Sequence, residues 1–346
     1  MNCTTTKILN KDIIKKIIKE CFMIFFIVFL LSALLLNPQK YTRSMLDGLS
    51  LFYLSVLPGL FPFMVLTRML SSINGIQYFS KKAAFITKKM FCLPGISMYI
   101  LIISMLSGYP VGVKITSELL DSKTITEQEA KKMLSFAMSS GPIFIIGSVG
   151  TSMLGNIKAG IIILISHYIS NIITGVIFCH LLNKRQNQNS ANNPTPILTN
   201  QTFDNIITNS MFSAVKSILL VGGFISCFYV FSQVLIDYKI LTSISYPLGK
   251  ILDLMGFDKN IATGIMSGII EVTRGAKMLS SFFLEIPKLV MSLIAALISF
   301  SGISILLQSK SLLAATKIKT HFLILIKSVH ALLCFIICLV LSNIFF

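Results

Sequence analysis

The chain has 346 residues, 54% of them apolar and 12% charged, with a mean hydropathy of +0.81. A soluble globular domain carries about a quarter charged residues, so this composition excludes one and defines an all-α polytopic membrane protein. Thirty Lys and Arg against 13 Asp and Glu give a net charge of +17, but the bases sit mainly between apolar runs and no nucleic-acid motif accompanies them, which fits membrane topology and contact with anionic headgroups of the lipid bilayer.

In chain order, apolar runs predict helices near 17–36, 50–70, 94–107, 136–154, 159–182, 211–236, 259–282, 287–308 and 319–345, about nine segments. The first contains an apolar stretch, Cys21 to Leu36, with the length of a signal-peptide core. No small-x-small cleavage pattern follows it, so it is read as a retained helix. Lys7, Lys11, Lys15, Lys16 and Lys19 precede that helix, and Lys81, Lys82, Lys88 and Lys89 follow the second. Both segments, and with them the N-terminus, are expected on the cytoplasmic side. Pro58 and Pro62 are expected to kink the second helix. The run 94–107 is shorter than the roughly 20 residues a spanning helix needs and is expected to be re-entrant or a half helix; whether it crosses decides between parallel and inverted halves, which the sequence leaves open. Thr126, three residues before Glu129, has capping-box spacing and predicts a short amphipathic surface helix over Asp121–Leu134. Asn183–Asn205, rich in Asn, Gln and Pro, reads as a flexible linker. The chain then divides into a basic arm with the first helix (1–44), a first repeat (45–183), a polar linker (184–209) and a second repeat (210–346).

The repeat rests on four Ser-Gly dipeptides, Ser107-Gly108, Ser140-Gly141, Ser267-Gly268 and Ser301-Gly302, each in or beside an apolar run. Within a pair the glycines stand 33 and 34 residues apart (141 minus 108, 302 minus 268), and between halves they shift by 160 and 161. Duplicated halves with interrupted helices point to a secondary transporter whose substrate site lies at the breaks. Tyr109, Pro110 and Gly112 extend the first break, with Lys114 adding a charge, and Pro142 extends its partner. Such breaks present free backbone N–H groups and a positive helix end, which suit a small anionic solute.

The second half departs at Glu271, Thr273, Arg274 and Lys277. An intramembrane carboxylate is costly and is a functional candidate by default. Glu271 is expected either to accept a coupling proton or cation while Arg274 and Lys277 attract an anion, or to pair structurally with Arg274. His167 and Asn171, one turn apart, are candidates for the cavity wall; His180, His321 and His330 are assigned no role. No nucleophile–base set, phosphate loop or metal spacing occurs, so neither an enzyme nor a metal or other cofactor is expected. The seven cysteines are read as reduced packing residues.

Pro58-Gly59-Leu60-Phe61-Pro62-Phe63, Ser107-Gly108-Tyr109-Pro110-x-Gly112, Glu129-Ala130 and Ser139-Ser140-Gly141-Pro142-x-Phe144-x-x-Gly147 occur in an order that resembles the YlbJ-type sporulation integral membrane proteins of the Gate, or nucleoside-recognition, superfamily. Over about residues 45–345 both halves look like Gate repeats with broken or re-entrant helices, although the second lacks the prolines of the first. The resemblance implies a membrane transporter of dipicolinic acid across the outer forespore membrane of a spore-forming bacterium. Helix N-termini, Lys114, Arg274 and Lys277 would then meet the two carboxylates, and Tyr109 would stack on the ring. A cation-coupled nucleoside transporter and a non-transporting sporulation scaffold are the alternatives.

Overall fold

A computed structural model describes residues 3–72, 75–182, 203–314 and 316–346. Among these residues the fold is all helical, with no strand. Helix α1 (Cys3–Leu36) leads into α2 (Pro38–Leu51). A π-helical turn, Phe52–Val56, joins α2 to α3 (Leu57–Ser72) in one long apolar span. The turn sits just before Pro58, which lacks an N–H and crowds the carbonyl of the preceding turn, so the ladder widens there. Next come α4 (Gly75–Phe91), α5 (Ile96–Ser107), α6 (Val111–Asp121), α7 (Glu127–Ala137), a π-helical segment Phe144–Met153, and α8 (Ile157–Leu181).

The second half repeats this order. It runs α9 (Phe203–Asp237), α10 (Ile240–Leu254), α11 (Asn260–Ile270), α12 (Val272–Ser280), α13 (Pro287–Phe300), α14 (Gly302–Leu312) and α15 (Thr320–Phe345). Short helices α5, α6 and α7 thus have counterparts in α11, α12 and α13, and the long α8 has one in α15. The halves meet where α8 packs against both α13 and α15, and α9 lies against α2 and α3.

Among the described residues, five helical stretches are long and apolar enough to cross a membrane, or six if the α4–α5 pair, bent by 83°, is one span. The expected count of about nine is therefore too high. The runs 136–154 and 259–282 are split by breaks near Gly141 and Glu271 into pieces too short to span, and 94–107 is the half helix α5.

The capping box at Thr126 forms: its Oγ1 accepts from the Glu129 N–H at 3.2 Å, and its own N–H donates to Glu129 Oε2 at 2.8 Å. The helix it starts is not a surface helix. Met133, Leu134 and Phe136 of α7 are fully buried, because α7 dives inward toward the break that follows it. Most of the expected linker, residues 183–202, lies outside the described residues, and α9 already begins at Phe203.

Helices α11 and α12 come into backbone contact at glycine: a Cβ on Gly275 would collide with the Gly268 backbone. Gly275→Ala is expected to cost about 1–3 kcal/mol of overpacking, read as a lowered thermal midpoint in detergent. Gly223→Ala, with nothing within 4 Å of its added carbon, is expected to leave the midpoint unchanged or raise it slightly.

Candidate functional site

Each half contains two breaks that lie against each other. In the first half, α5 ends at Ser107 and Gly108 takes φ 72°, a conformation that favours glycine. A Cβ on Gly108 would stand 2.7 Å from the backbone nitrogen of Gly141 at the second break. In the second half, α11 ends at Ile270, Glu271 is extended (φ −140°, ψ 115°), and α12 restarts at Val272. Its partner break is Ser301-Gly302, with φ 73° and 72°; a Cβ on Gly302 would lie 3.2 Å from the Gly268 carbonyl oxygen and 3.4 Å from Val272 N. Gly268 itself is inside α11, so the break falls three residues later than the Ser-Gly dipeptide predicts.

A small, partly open cavity of about 50 Å³ lies between the two crossings. Tyr109, Ser140 and Gly141 line it from the first half, Glu271, Thr273 and Gln308 from the second, and Val56, Phe144, Val221 and Ile298 supply apolar wall. Glu271 is 1% exposed. Its Oε2 accepts from the backbone N–H of Arg274 at 2.7 Å and from the Thr273 hydroxyl in a very short hydrogen bond. The carboxylate therefore caps α12, where the positive helix end favours it.

The guanidinium of Arg274 points away from Glu271. Nη1 donates to the Tyr229 carbonyl at 2.9 Å, Nη2 donates to Gln233 Oε1 at 2.5 Å, and the group stacks 4.5 Å from the Tyr229 ring centroid. The expected Glu271–Arg274 side-chain pair does not form. Lys277 is exposed. Lys114 is half-buried, with Nζ donating to Ser213 Oγ at 3.3 Å. None of the three bases lines the pocket.

Other predicted residues build the breaks rather than the wall. Ser107 is buried with its hydroxyl unpartnered. Pro110 precedes the first turn of α6, and Gly112 lies against the Ala137 carbonyl. Pro142 opens the π-helical segment, Ser267 shares a hydrogen bond of 3.0 Å with Ser232, and Ser301 bonds the Phe300 carbonyl at 2.5 Å. Asn171 does not reach the pocket wall; it donates to the Phe136 carbonyl at 3.0 Å.

Behind Tyr109 runs a buried polar chain in which His167, a candidate for the cavity wall, joins Lys327 and His330, to which the sequence reading gave no role. Lys327 of α15, fully buried, has Nζ 2.8 Å from Tyr109 Oη, 2.7 Å from the Met138 carbonyl and 3.2 Å from His330 Nδ1. His330 Nε2 lies 3.2 Å from the His167 carbonyl, and the two rings stack with centroids 4.8 Å apart. His167 accepts the Ser140 backbone N–H on Nε2 at 3.0 Å and meets Ser299 Oγ through Nδ1 at 2.8 Å. The two histidines are equivalent in the repeat: 163 residues separate them, the step from the start of α8 at Ile157 to that of α15 at Thr320. That step, and a lysine inside the apolar run HFLILIKSVHALL, were the available signals. Among the described residues no cluster suits a metal ion.

Fold and site together define an integral membrane protein of two similar halves, whose broken helices cross in pairs around an internal pocket. The chain is 26% identical over 309 residues, covering 85% of it and 76% of the relative, to the sporulation integral membrane protein YlbJ of Bacillus subtilis (strain 168). This likeness to an integral membrane protein agrees with the resemblance carried by the motifs of the first half. No family model and no solved structure matches the chain.

Arg274 and Gln233 form a charge-assisted pair inside the protein, so their substitutions are expected to be non-additive. A double-mutant cycle with Arg274→Met and Gln233→Ala should give a coupling of about 1–3 kcal/mol in detergent unfolding. Additive effects would mean that the contact carries no stability.

Proposed function

We propose that this protein is a membrane transporter acting in sporulation, and that its solute is a small carboxylate anion, dipicolinic acid, carried across the outer forespore membrane. One observation supports the reading above the rest: two crossings of broken helices, one from each half, enclose a pocket at their meeting point. Irregular backbone at membrane depth is tolerated where protein buries it or where it lines a cavity, and paired breaks in duplicated halves are where secondary transporters hold their solutes. The pocket wall carries groups that suit a planar aromatic solute with polar substituents. Tyr109 supplies a ring face, Ser140, Thr273 and Gln308 supply polar groups, and α14 brings its uncapped first turn nearby. Glu271 spends its charge on the start of α12 and serves as the coupling site in this reading. The basic N-terminal arm faces the cytoplasm by the positive-inside rule.

A second reading draws on the same wall. No Lys or Arg lines the pocket, which favours a neutral polar solute such as a nucleoside, with Glu271 binding the coupling cation. The two separate in one assay. Purified protein in proteoliposomes is given labelled dipicolinate or labelled nucleoside, with Glu271→Gln compared at equal reconstitution. Dipicolinate uptake that falls about tenfold or more in Glu271→Gln, a loss of about 1.4 kcal/mol or more in transition-state stabilisation, is the expected result. Nucleoside uptake alone would establish the second reading, and no uptake of either would leave a non-transporting scaffold.

A further inference from the structure

Lys327 is 0% exposed in the middle of an apolar helix, and among the described residues no carboxylate comes within 4.0 Å of it. We take Nζ as the donor in each of its three contacts, the pattern of an ammonium group. The Met138 carbonyl can only accept, at 2.7 Å. Tyr109 gives its hydroxyl proton to the Ile298 carbonyl at 3.3 Å, so it too accepts from Nζ, at 2.8 Å. His330 Nε2 faces the His167 carbonyl at 3.2 Å and must carry a proton. One more proton is then needed between Nζ and His330 Nδ1, 3.2 Å apart. On Nζ it makes an ammonium; on Nδ1 it makes an imidazolium. Either way the Lys327–His330 pair holds one positive charge.

The neighbouring groups do not cancel it. His167 is neutral, because its Nε2 accepts the Ser140 N–H and its proton sits on Nδ1 toward Ser299. Cys334 lies further along α15 and is buried. Glu271 is engaged at the start of α12. A buried charge is ordinarily paired, since leaving it alone in a medium of low dielectric is costly. Tyr109 connects this charge to the pocket: it lines the pocket wall while its Oη accepts from Nζ, which stands 5.1 Å from its ring centroid.

We propose that the Lys327–His330 charge is the fixed counter-ion for the anionic solute, reached through Tyr109, and that it sets the preference for carboxylates over neutral solutes. This deepens the transport reading above and rests on it. A carboxylate entering the pocket would lie against the Tyr109 side chain, with a full positive charge directly behind it. That arrangement resolves the missing bases of the wall, because the charge sits one residue back from the surface that touches solute.

The test uses the full chain in proteoliposomes with labelled pyridine-2,6-dicarboxylate and its neutral diamide. Lys327→Gln is expected to raise KM for the dianion about tenfold or more, the scale of one lost charge-assisted interaction, while KM for the diamide changes little. Lys327→Arg, which keeps the charge, is expected to retain the preference for the dianion. A folded Lys327→Gln protein with an unchanged dianion KM overturns the inference while leaving transport standing. Should Lys327→Gln not fold, Tyr109→Phe serves instead, with a severalfold selective rise in dianion KM expected and no change overturning the proposal. Wild-type protein that takes up no dianion removes the transport reading and this inference together.

Discussion

A peptide group released from a helix inside a membrane has no water to turn to, and every break in this chain must find it a partner within the protein. The side chains of the buried polar chain are those partners. Lys327 meets the Met138 carbonyl past the end of α7, where a cation also complements the helix dipole. Asn171 takes the Phe136 carbonyl two residues earlier. His167 accepts the Ser140 N–H on the far side of the same break, and Tyr109 caps the Ile298 carbonyl near the end of α13. Glu271 does the same service for the N–H groups of α12. The pocket exists because these polar residues make non-helical backbone affordable there.

The same economy of partners explains the charges. Glu271 and Arg274 are three residues apart, yet the carboxylate turns to backbone N–H groups while the guanidinium turns to α9. An extended residue at position 271 swings the helix that follows, and a helical i, i+3 pairing cannot form across a cap. Lys327 is tied to the first half's breaks and Arg274 to α9.

Much of the architecture was legible in the residues. The Ser-Gly spacing located three of the four breaks and the duplication, because glycine is needed where two backbones cross in contact, as at Gly108 and Gly141. The fourth break moved to Glu271 because Gly268 serves a different need, the close approach of Gly275. Apolar runs overcounted spans since hydropathy does not register a break made by an extended residue. Glu271 stood out as a lone carboxylate among apolar neighbours, and Lys327 offered the same signal. What the sequence could not show is that His167, His330, Lys327 and Tyr109 converge, because their contacts join positions more than 160 residues apart.

Several of those contacts bridge the two halves: Lys327 to Tyr109 and Met138, His330 to the His167 carbonyl, His167 to Ser299, Tyr109 to Ile298 and Ser117 to the Leu312 carbonyl at 2.9 Å. They converge on a small region and share atoms, so sliding one half past the other strains them as a set. Rearrangement of such an interface proceeds by a jump between two bonded patterns rather than by gradual creep. The seam between the repeats thus behaves as a ratchet tooth, holding one registry until a competing set of acceptors is on offer.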